Sequence, residues 1–435
     1  MYKKSQSKIN IGLIGLGTIG SGVAKFLMAR RDLLLKRTGI DFNLSLVCDK
    51  DLSLKRDVNL PEGMFTKDAD KVINDPDIHI IVELIGGIHP AKEIVIKALS
   101  KGKHVVTANK LLLASEGGEI FQKAKISNRE IYFEASVAGG IPIIKAIREG
   151  MVSNKFSSVF GILNGTSNYI LSSMSSEGSS FKTALKEAQS KGYAEKDPSL
   201  DIKGLDSSHK LAILSLLAFG KRVDLDDIYV EGIEDISNLD IQYAKEFGYG
   251  IKLLAIAKCY GNELETRVHP TLLPLEHLLS SVSGAYNAIF IEADLVGKQL
   301  FYGQGAGKLP TASAVISDIV DAGHKIVCGK NSVKQIIPKD SEIKKLRKMD
   351  EVVTRYYAHF SAIDKPGVLA NIADLLGRYN ISIASVVQKE RREAHIVPIV
   401  MLTHEAKELD MQAALSRINK LSAIKKKSVV IRLEK

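Results

Sequence analysis

Charge is concentrated just before an apolar stretch in the middle of the chain. The sixteen residues from Glu195 to Lys210, EKDPSLDIKGLDSSHK, hold four carboxylates and three lysines, whereas the next ten, LAILSLLAFG, hold no charge. If a helix begins near Asp206, then Asp206 and Lys210 lie on one face of it, four residues apart. Such a lysine can protonate an alkoxide as it forms on a carbonyl, provided that partial burial lowers its pKa toward the working pH. Glu195, Asp201 and Asp206 would then hold the ammonium group of an amino-acid substrate.

Ordinary explanations stay open for the same residues. An exposed ion pair at this spacing contributes only ~0.3–0.5 kcal/mol. Asp206 is also a good residue type for the first turn of a helix, and the whole stretch is compatible with a solvated loop. The chemical interpretation therefore depends on what accompanies it along the chain.

A second lysine, Lys110, ends the segment HVVTANK at the carboxyl end of a predicted strand. Doubly wound folds bind their ligands at that edge of the sheet. We therefore place Lys110 in the site as a catalytic and cofactor-binding candidate. The alternative is a surface lysine that begins a helix.

The segment INIGLIGLGTIGSGVAKFL, from Ile9, predicts a dinucleotide site. A strand meets the pattern Gly-x-Gly-x-x-Gly and opens a helix, which is predicted to run to about Arg37. In this arrangement the backbone can approach a pyrophosphate and the helix N-terminus can bind it. An acid that ends the next strand, Asp49 in LSLVCD, favours the ribose 2′-hydroxyl of NAD, whereas Lys50, with Lys55 and Arg56, favours the 2′-phosphate of NADP. NADP is slightly favoured, and both stay open. The predicted cofactor-binding residues in this half of the chain are Gly15, Gly17, Thr18, Ile19, Gly20, Asp49, Lys50 and Lys110.

The elements around these residues predict an α/β protein. Strand-like runs alternate with helical stretches up to residue 140, which predicts a Rossmann-type doubly wound parallel sheet. A second α/β domain, for catalysis and dimerisation, is predicted over 141–303, and the helix that follows, about 304–329, would return to the first domain. Residues 330–350 read as a polar linker, and 351–435 follow the β-α-β-β-α-β order of a ferredoxin-like domain.

Composition excludes several classes of protein. The chain of 435 residues has an apolar content ordinary for globular proteins, and its longest uncharged apolar run is half of a membrane span. We expect no secretion signal, and three cysteines, Cys48, Cys259 and Cys328, favour the reducing cytoplasm. Residues 330–435 carry 21 Lys and Arg against 12 Asp and Glu. No nucleic-acid-binding motif accompanies this charge, so a solvated basic surface is the simpler expectation.

Seven segments together resemble the homoserine dehydrogenase family. They are GLIGLGTIG, VELIGG with HPA, VVTANK, EASVAGGIP, LNGTSNYI, KGYAEKDPSLDIKGLDSSHK and YGQGAGKLPTASAV, in this order over about residues 9–320. The set is far more specific than the glycine pattern alone. The segment FSAIDKPGVLANIADLLGRYNISIASV resembles an ACT domain, a regulatory module that binds amino acids.

The resemblance implies reversible reduction of L-aspartate 4-semialdehyde to L-homoserine with NADPH or NADH, in the biosynthesis of threonine, methionine and isoleucine. It implies Lys210 as the proton donor, with Lys110 beside the substrate and nicotinamide. It also implies that Glu195, Asp201 and Asp206 bind substrate with Tyr193 and Thr166, and that Gly305 approaches the cofactor. A monovalent cation, usually Na⁺, is implied at Glu134 and at the backbone oxygens of Val137, Gly139 and Ile141; oxygen ligands suit such a hard cation.

Further partners follow from the same resemblance. A homodimer or homotetramer is expected, together with an amino-acid effector, threonine or a similar end product, near Asp364–Leu369 or Asn380–Ile383. One departure concerns the cofactor, because Lys50 stands where NADP-preferring relatives often have arginine. Two other functions stay open at this stage, namely another Rossmann dehydrogenase of amino-acid semialdehydes and a non-catalytic amino-acid sensor.

Overall fold

A computed structural model describes residues 7–51, 57–329, 341–388 and 396–435 of the chain. The chain divides into two compact units, each built from three segments. The first comprises Met1–Asn154, Ala212–Leu225 and Phe301–Ser341, and the second comprises Lys155–Leu211, Asp226–Leu300 and Glu342–Lys435. Lys55 and Arg56 lie outside the described residues.

The first unit is built on a parallel sheet of six strands in the order β3-β2-β1-β4-β5-β6. Its elements are β1 (Ser7–Ile14), α1 (Thr18–Ala29), α2 (Arg31–Thr38), β2 (Ile40–Cys48), β3 (Phe65–Thr66), α3 (Ala69–Asn74), β4 (Ile80–Glu83), α4 (Ala91–Ser100), β5 (His104–Thr107), α5 (Lys110–Ile126), β6 (Ile131–Tyr132) and α6 (Ile143–Lys145). This is the strand order of dinucleotide-binding folds. All strands are parallel, but the order in which the chain adds them to the sheet reverses between β1 and β4.

The central strands of this sheet have buried apolar runs, such as Ile80–Val82 of β4 and Val105–Val106 of β5, as expected for a parallel sheet covered by helices on both faces. The helix predicted up to about Arg37 is divided at Arg30 into α1 and α2. Helix α12 (Lys308–Cys328) also belongs to this unit, and its residues Ala312, Val315 and Ile319 share one core with the strands and α1.

The second unit is built around antiparallel strands. The elements over residues 156–304 are β7 (Phe156–Ile162), α7 (Gly165–Glu177), α8 (Phe181–Ser190), α9 (Ser199–Ile202), α10 (Leu205–Phe219), β8 (Tyr229–Val230), α11 (Asn238–Glu246), β9 (Tyr249–Tyr260), β10 (Glu263–Pro274), β11 (Tyr286–Ala293) and β12 (Gly297–Gln304). Helix α10 from Ala212 and strand β12 from Phe301 are counted with the first unit. Strands β9 and β10 form a long hairpin, and β7 lies between β9 and β11. The register places Ala288 of β11 opposite Ile162 of β7, so the residues just past this pair lie beside the turn that leads into α7.

The last part of the chain has the predicted ferredoxin-like order, with two short additional strands. Its elements are β13 (Lys345–Arg347), β14 (Val353–Ile363), α13 (Val368–Arg378), β15 (Ile383–Gln388), β16 (Ile396–Thr403), β17 (Ala406–Lys407), α14 (Glu408–Ile418) and β18 (Val429–Leu433). Part of the segment that the sequence predicts to be a linker forms strand β13, since Lys345–Arg347 pair in parallel with the start of β10.

The final strand joins the ferredoxin-like sheet to the antiparallel sheet of the second unit. Strand β18 pairs with β14 on one side and in parallel with β10 on the other. At this junction the guanidinium of Arg432 is buried and donates to Glu408 and to Glu231. A second polar link joins α11 to β14, where Asp240 accepts hydrogen bonds from Tyr357 and His359. These links explain why the ferredoxin-like domain belongs to the second compact unit.

The predicted fold class is confirmed. The structure has a six-stranded Rossmann-type parallel sheet, a second α/β region and a C-terminal ferredoxin-like domain. No helix among the described residues is long and apolar enough to cross a membrane.

Candidate active site

Asp206 and Lys210 form a buried ion pair on the first turns of α10. The Lys210 Nζ donates to Asp206 Oδ2 at 2.7 Å, and both side chains are over nine-tenths buried. Gly204, with a φ of 83°, makes the turn that starts the helix, and a Cβ at this position would lie 3.1 Å from Val268 and 3.2 Å from Val230. The ammonium also donates to the carbonyl oxygen of Leu163 at 2.6 Å. The exposed surface pair that spacing alone allowed is therefore excluded.

Asn164 connects two of the predicted substrate-binding acids. Its Nδ2 donates to Asp201 Oδ1 at 2.6 Å and to Asp206 Oδ2 at 2.9 Å, and its Oδ1 accepts from the Ser167 backbone to cap α7. Burial raises the pKa of Asp201, the hydrogen bond from Asn164 opposes that rise, and the nearby charge of Asp206 adds to it. Two carboxylates and one ammonium thus share a small, largely buried volume, in which electrostatic interactions are stronger than in water.

The remaining predicted substrate residues differ in their placement. Thr166 is buried, and its hydroxyl donates to the backbone oxygen of Tyr193 at 2.6 Å. Tyr193 is about half exposed, and its ring packs at a tilted angle against that of Tyr169. Glu195 is exposed, and among the described residues its carboxylate bonds neither Asp201 nor Asp206 nor Lys210. The structure therefore brings Thr166, Asp201, Asp206 and Lys210 together and leaves Glu195 at the periphery.

The glycine-rich turn after β1 has the geometry that a bound pyrophosphate requires. Gly15 has a φ of 100°, and a Cβ at Gly20 would lie 1.9 Å from the Gly15 oxygen, so neither position accepts a side chain. Gly17, by contrast, faces open space and caps α1, whose first turn has neither an acidic residue nor a side-chain cap. Thr18 and Ile19 begin that helix, and its uncapped N–H groups are available to an anion.

Asp49 lies at the end of β2 and reaches back to the glycine-rich turn. Its Oδ2 accepts from the Leu16 backbone N–H at 2.5 Å, and its Oδ1 accepts from Asp51. Lys50 follows it and is exposed. The carboxylate therefore holds the glycine-rich turn in shape.

Lys110 is the first residue of α5, and two residues separate it from the end of β5 at Thr107. The edge of the sheet at which it lies is fixed by two buried residues. Glu83, at the end of β4, accepts from Thr107 Oγ1 at 2.7 Å and from the Ile85 backbone at 2.8 Å. Asn109 caps α5 and donates to the Gly87 oxygen at 2.6 Å. These bonds join the loop after β4 to the loop after β5 and fix the start of α5, where Lys110 lies.

Glu134 is buried in the turn to which the cation was assigned. Its Oε1 and Oε2 accept from the backbones of Ile144 and Lys145 at 2.8 and 2.9 Å, and burial raises the pKa of its carboxyl. In the same turn Gly139 has a φ of 39° and approaches the Gly305 oxygen so closely that a Cβ would lie 2.7 Å from it.

The donor set of this turn suits a hard monovalent cation. Among the described residues, no donor bonds the carbonyl oxygens of Val137 and Gly139, whereas Ile141 accepts from Ile143. One carboxylate with several backbone oxygens is compatible with Na⁺. The described residues contain no group of three or more His, Cys, Asp or Glu side chains that could hold a metal ion.

Sequence reasoning missed the residues that hold the site in place. Asn164, the Leu163 carbonyl and Glu83 were not identified by charge or spacing. The segment LNGTSNYI contained one usable signal, since an asparagine between a strand and a helix is a typical N-cap. Nothing in the sequence indicated that the same amide would reach two carboxylates.

Three family models match consecutive parts of the chain. Residues 15–134 match the NAD binding domain of homoserine dehydrogenase, residues 142–320 match homoserine dehydrogenase itself, and residues 359–423 match the ACT domain.

Curated proteins and solved structures agree with the models. Homoserine dehydrogenases from Neisseria gonorrhoeae and Bacillus subtilis are 44% and 38% identical, each alignment covering 98% of both chains. The crystal structure of a homoserine dehydrogenase from Thiobacillus denitrificans superposes with a TM-score of 0.90 at 43% identity, covering 98% of both chains. A hyperthermophilic archaeal homoserine dehydrogenase in complex with NADPH gives 0.63 at 27% identity, over 73% of this chain and 98% of that one.

Proposed function

The chain belongs to the homoserine dehydrogenase family, and on that premise we propose that Lys210 is the proton donor of the reaction. As a homoserine dehydrogenase, the protein interconverts L-aspartate 4-semialdehyde and L-homoserine with a nicotinamide cofactor. The observation that supports the role of Lys210 is its buried ammonium, held by Asp206 Oδ2 and by the Leu163 oxygen. These two bonds hold the ammonium in one position beside the acids that are proposed to bind the substrate.

The residues around Lys210 account for a mechanism. The nicotinamide dinucleotide, when bound, supplies the hydride for the aldehyde carbon. Lys210 donates a proton to the aldehyde oxygen as negative charge develops there, and takes it back in the direction of homoserine oxidation. Asp201 and Asp206 bind the substrate ammonium, with Thr166 and Tyr193 at the wall of the site and Glu195 completing the acidic set from the periphery.

We assign the cofactor to the glycine-rich turn and favour NADP over NAD. Gly15, Gly17 and Gly20 receive the pyrophosphate, and Lys50 faces a 2′-phosphate, whereas Asp49 is already bonded to the backbone of Leu16. Lys110 and Gly305 lie toward the nicotinamide. Loss of absorbance at 340 nm with L-aspartate 4-semialdehyde, compared for NADPH and NADH, tests this assignment. A higher kcat/KM with NADPH, which Lys50→Ala reduces more than it reduces the value with NADH, is the expected result; a preference for NADH would contradict it.

The buried turn at Glu134 is proposed to bind Na⁺, with Val137, Gly139 and Ile141 contributing backbone oxygens. Bound there, the cation would fix the turn that meets Gly305. Replacing NaCl by choline chloride at constant ionic strength should lower activity in the natural protein and not in Glu134→Gln. Equal activity in both salts would exclude a functional cation.

The ACT domain is proposed to bind an amino-acid effector, threonine or a similar end product, which inhibits the enzyme. Support comes from Gly367, which has a φ of 88° and begins α13 with no side-chain cap, so that backbone N–H groups face a carboxylate. Calorimetry with the twenty amino acids tests the proposal, and no heat from any of them would leave the domain a structural role.

A homodimer or homotetramer is proposed as the working form. The segment that enters β12 exposes large apolar side chains, with Leu295 70% and Val296 40% exposed. Light scattering coupled to gel filtration would show the mass of the assembly.

A further inference from the structure

We propose that Asn287 is a positioning residue that fixes the carbonyl on which the Lys210 ammonium rests. The inference depends on the role proposed above for Lys210. It concerns a residue on β11 that no motif identified, far from the charged stretch in sequence.

One oxygen receives both side chains. The Leu163 carbonyl oxygen accepts from Lys210 Nζ at 2.6 Å and from Asn287 Nδ2 at 2.9 Å. A carbonyl oxygen has two lone pairs, so these two donors satisfy it completely. Any rotation of the Leu163 peptide would lengthen at least one of the two bonds, and Asn287 therefore limits where the ammonium can lie.

The register of the sheet explains why a side chain has this task. Ala288 lies opposite Ile162 in the antiparallel pair of β11 and β7. Strand β7 ends at Ile162, and the chain then turns through Leu163 into α7, whose cap is Asn164. The paired residues of β7 and β11 end at Ile162 and Ala288, so the Leu163 oxygen lies beyond the backbone hydrogen bonds of the sheet. The side-chain amide of Asn287 donates to it instead.

Two side chains form hydrogen bonds with the backbone segment that precedes Asn287. Asn168 Nδ2 donates to the backbone oxygens of Val282, Gly284 and Tyr286, at 3.3, 3.0 and 3.2 Å. Lys252 Nζ donates to the same Val282 oxygen at 2.5 Å. The segment that leads into β11 is thereby fixed, so the amide of Asn287 is presented to Leu163 in one orientation.

The amide also has an unfavourable feature that points to function. Asn287 is 1% exposed, and no residue in the described part of the chain donates a hydrogen bond to its Oδ1. A buried acceptor without a partner destabilises a fold, and a leucine of similar volume would remove it. A residue that served packing alone would be better replaced by leucine, whereas a residue that positions Leu163 requires the N–H.

The experiment compares variants of Asn287 in the full-length enzyme with L-aspartate 4-semialdehyde and NADPH. Asn287→Leu is expected to lower kcat by about 10- to 100-fold, the usual effect of misplacing a reacting group by about 1 Å. The KM for the semialdehyde should stay within about threefold, since Asp201 and Asp206 are unchanged. The melting temperature should equal or exceed that of the natural protein. Asn287→Asp, which keeps the size but removes the N–H, should lose as much kcat and remains informative if the leucine variant does not fold.

Two further variants make the result decisive. Asn238 is a matched control, because its Nδ2 also donates to one backbone oxygen, that of Gly178 at 2.7 Å, and its Oδ1 likewise accepts from none of the described residues. Asn238→Leu should leave kcat unchanged. Lys210→Ala tests the premise separately, since wild-type kcat in that variant would refute the proton-donor role itself. If Lys210→Ala is slow but Asn287→Leu and Asn287→Asp keep wild-type kcat, or if kcat falls only together with the melting temperature, the positioning role is refuted.

Discussion

Replacing Asn164 by alanine tests how strongly one amide organises the two acids of the site. The change removes the donor shared by Asp201 and Asp206, at 2.6 and 2.9 Å, together with the cap that Oδ1 gives to Ser167 of α7. Asp206 is 6% exposed and remains paired with Lys210, whereas Asp201 loses its side-chain partner from Asn164.

The magnitude follows from the bonds that are lost. Hydrogen bonds to a charged group contribute about 1.5–3 kcal/mol each, and loss of an N-cap costs about 1 kcal/mol. Water entering beside Asp201 recovers part of this sum, so we expect the free energy of unfolding to fall by roughly 3 kcal/mol. If one acid no longer faces the substrate ammonium, loss of one charge-assisted bond raises KM by about 10- to 100-fold.

The effect on KM should also depend on pH. Burial raises the pKa of Asp201, and the hydrogen bond from Asn164 counteracts that rise. Without this bond the pKa of Asp201 moves further up, so at acidic pH more of it is protonated and cannot bind the ammonium. The KM of Asn164→Ala should therefore increase more steeply than that of the natural enzyme as the pH falls.

Urea unfolding and steady-state kinetics over a range of pH measure both effects. Ser180→Ala is the matched control, since Ser180 caps α8 by accepting from Thr183 and lies outside the site. That variant should lose only the stability of a cap and keep its KM. If Asn164→Ala were destabilised no more than Ser180→Ala and kept its KM at every pH, the amide would not organise the acids.

Three further predictions concern stability. Burial lowers the pKa of His104 to about 4, so between pH 6.5 and 4 the unfolded chain binds a proton that the folded chain does not. The free energy of unfolding should therefore fall by about 3 kcal/mol as the pH drops through this range. In urea unfolding, His104→Gln should reduce the dependence of this free energy on pH, and an unchanged dependence would contradict the prediction. Burial lowers the pKa of Lys252 to about 8, so Lys252→Met should stabilise the protein by about 1–3 kcal/mol below pH 8 and lose that advantage toward pH 10.5. A melting temperature at pH 7 no higher than that of the natural protein would argue against this prediction. Arg432→Met leaves Glu408 buried without its cation and should lower the free energy of unfolding, measured with urea, by about 3–5 kcal/mol. The double variant Arg432→Met, Glu408→Leu should regain most of this loss. A double variant as unstable as the single one would show that the loss comes from packing instead.

The sequence contained enough to predict the elements of the fold. Apolar strands that alternate with helices imposed the parallel sheet, and the glycine spacing located the turn at which a pyrophosphate binds. The extra strand Lys345–Arg347 escaped prediction because its partner, β10, is distant in sequence and its own residues are polar. The break at Arg30 escaped because helical periodicity continues on both sides of it.

The candidate site could be predicted only in part. Charge next to an apolar helix located Asp206 and Lys210, because only a paired charge is stable at such a boundary. Asn164 and Asn287 could not be found in this way, since an uncharged amide has no pattern and its task depends on which carbonyl or carboxylate the fold brings near it. Glu195 was grouped with the other acids by spacing, yet the turn before α9 leaves it exposed.

The kcat of Lys210→Ala at saturating semialdehyde and NADPH tests the mechanism most directly. We expect a loss of about 10²- to 10⁴-fold with a smaller change in KM, while the exposed neighbour Lys203, changed to alanine as a control, should keep wild-type kcat. A folded Lys210→Ala enzyme that turns over at the natural rate would contradict the assignment of the buried ammonium as proton donor.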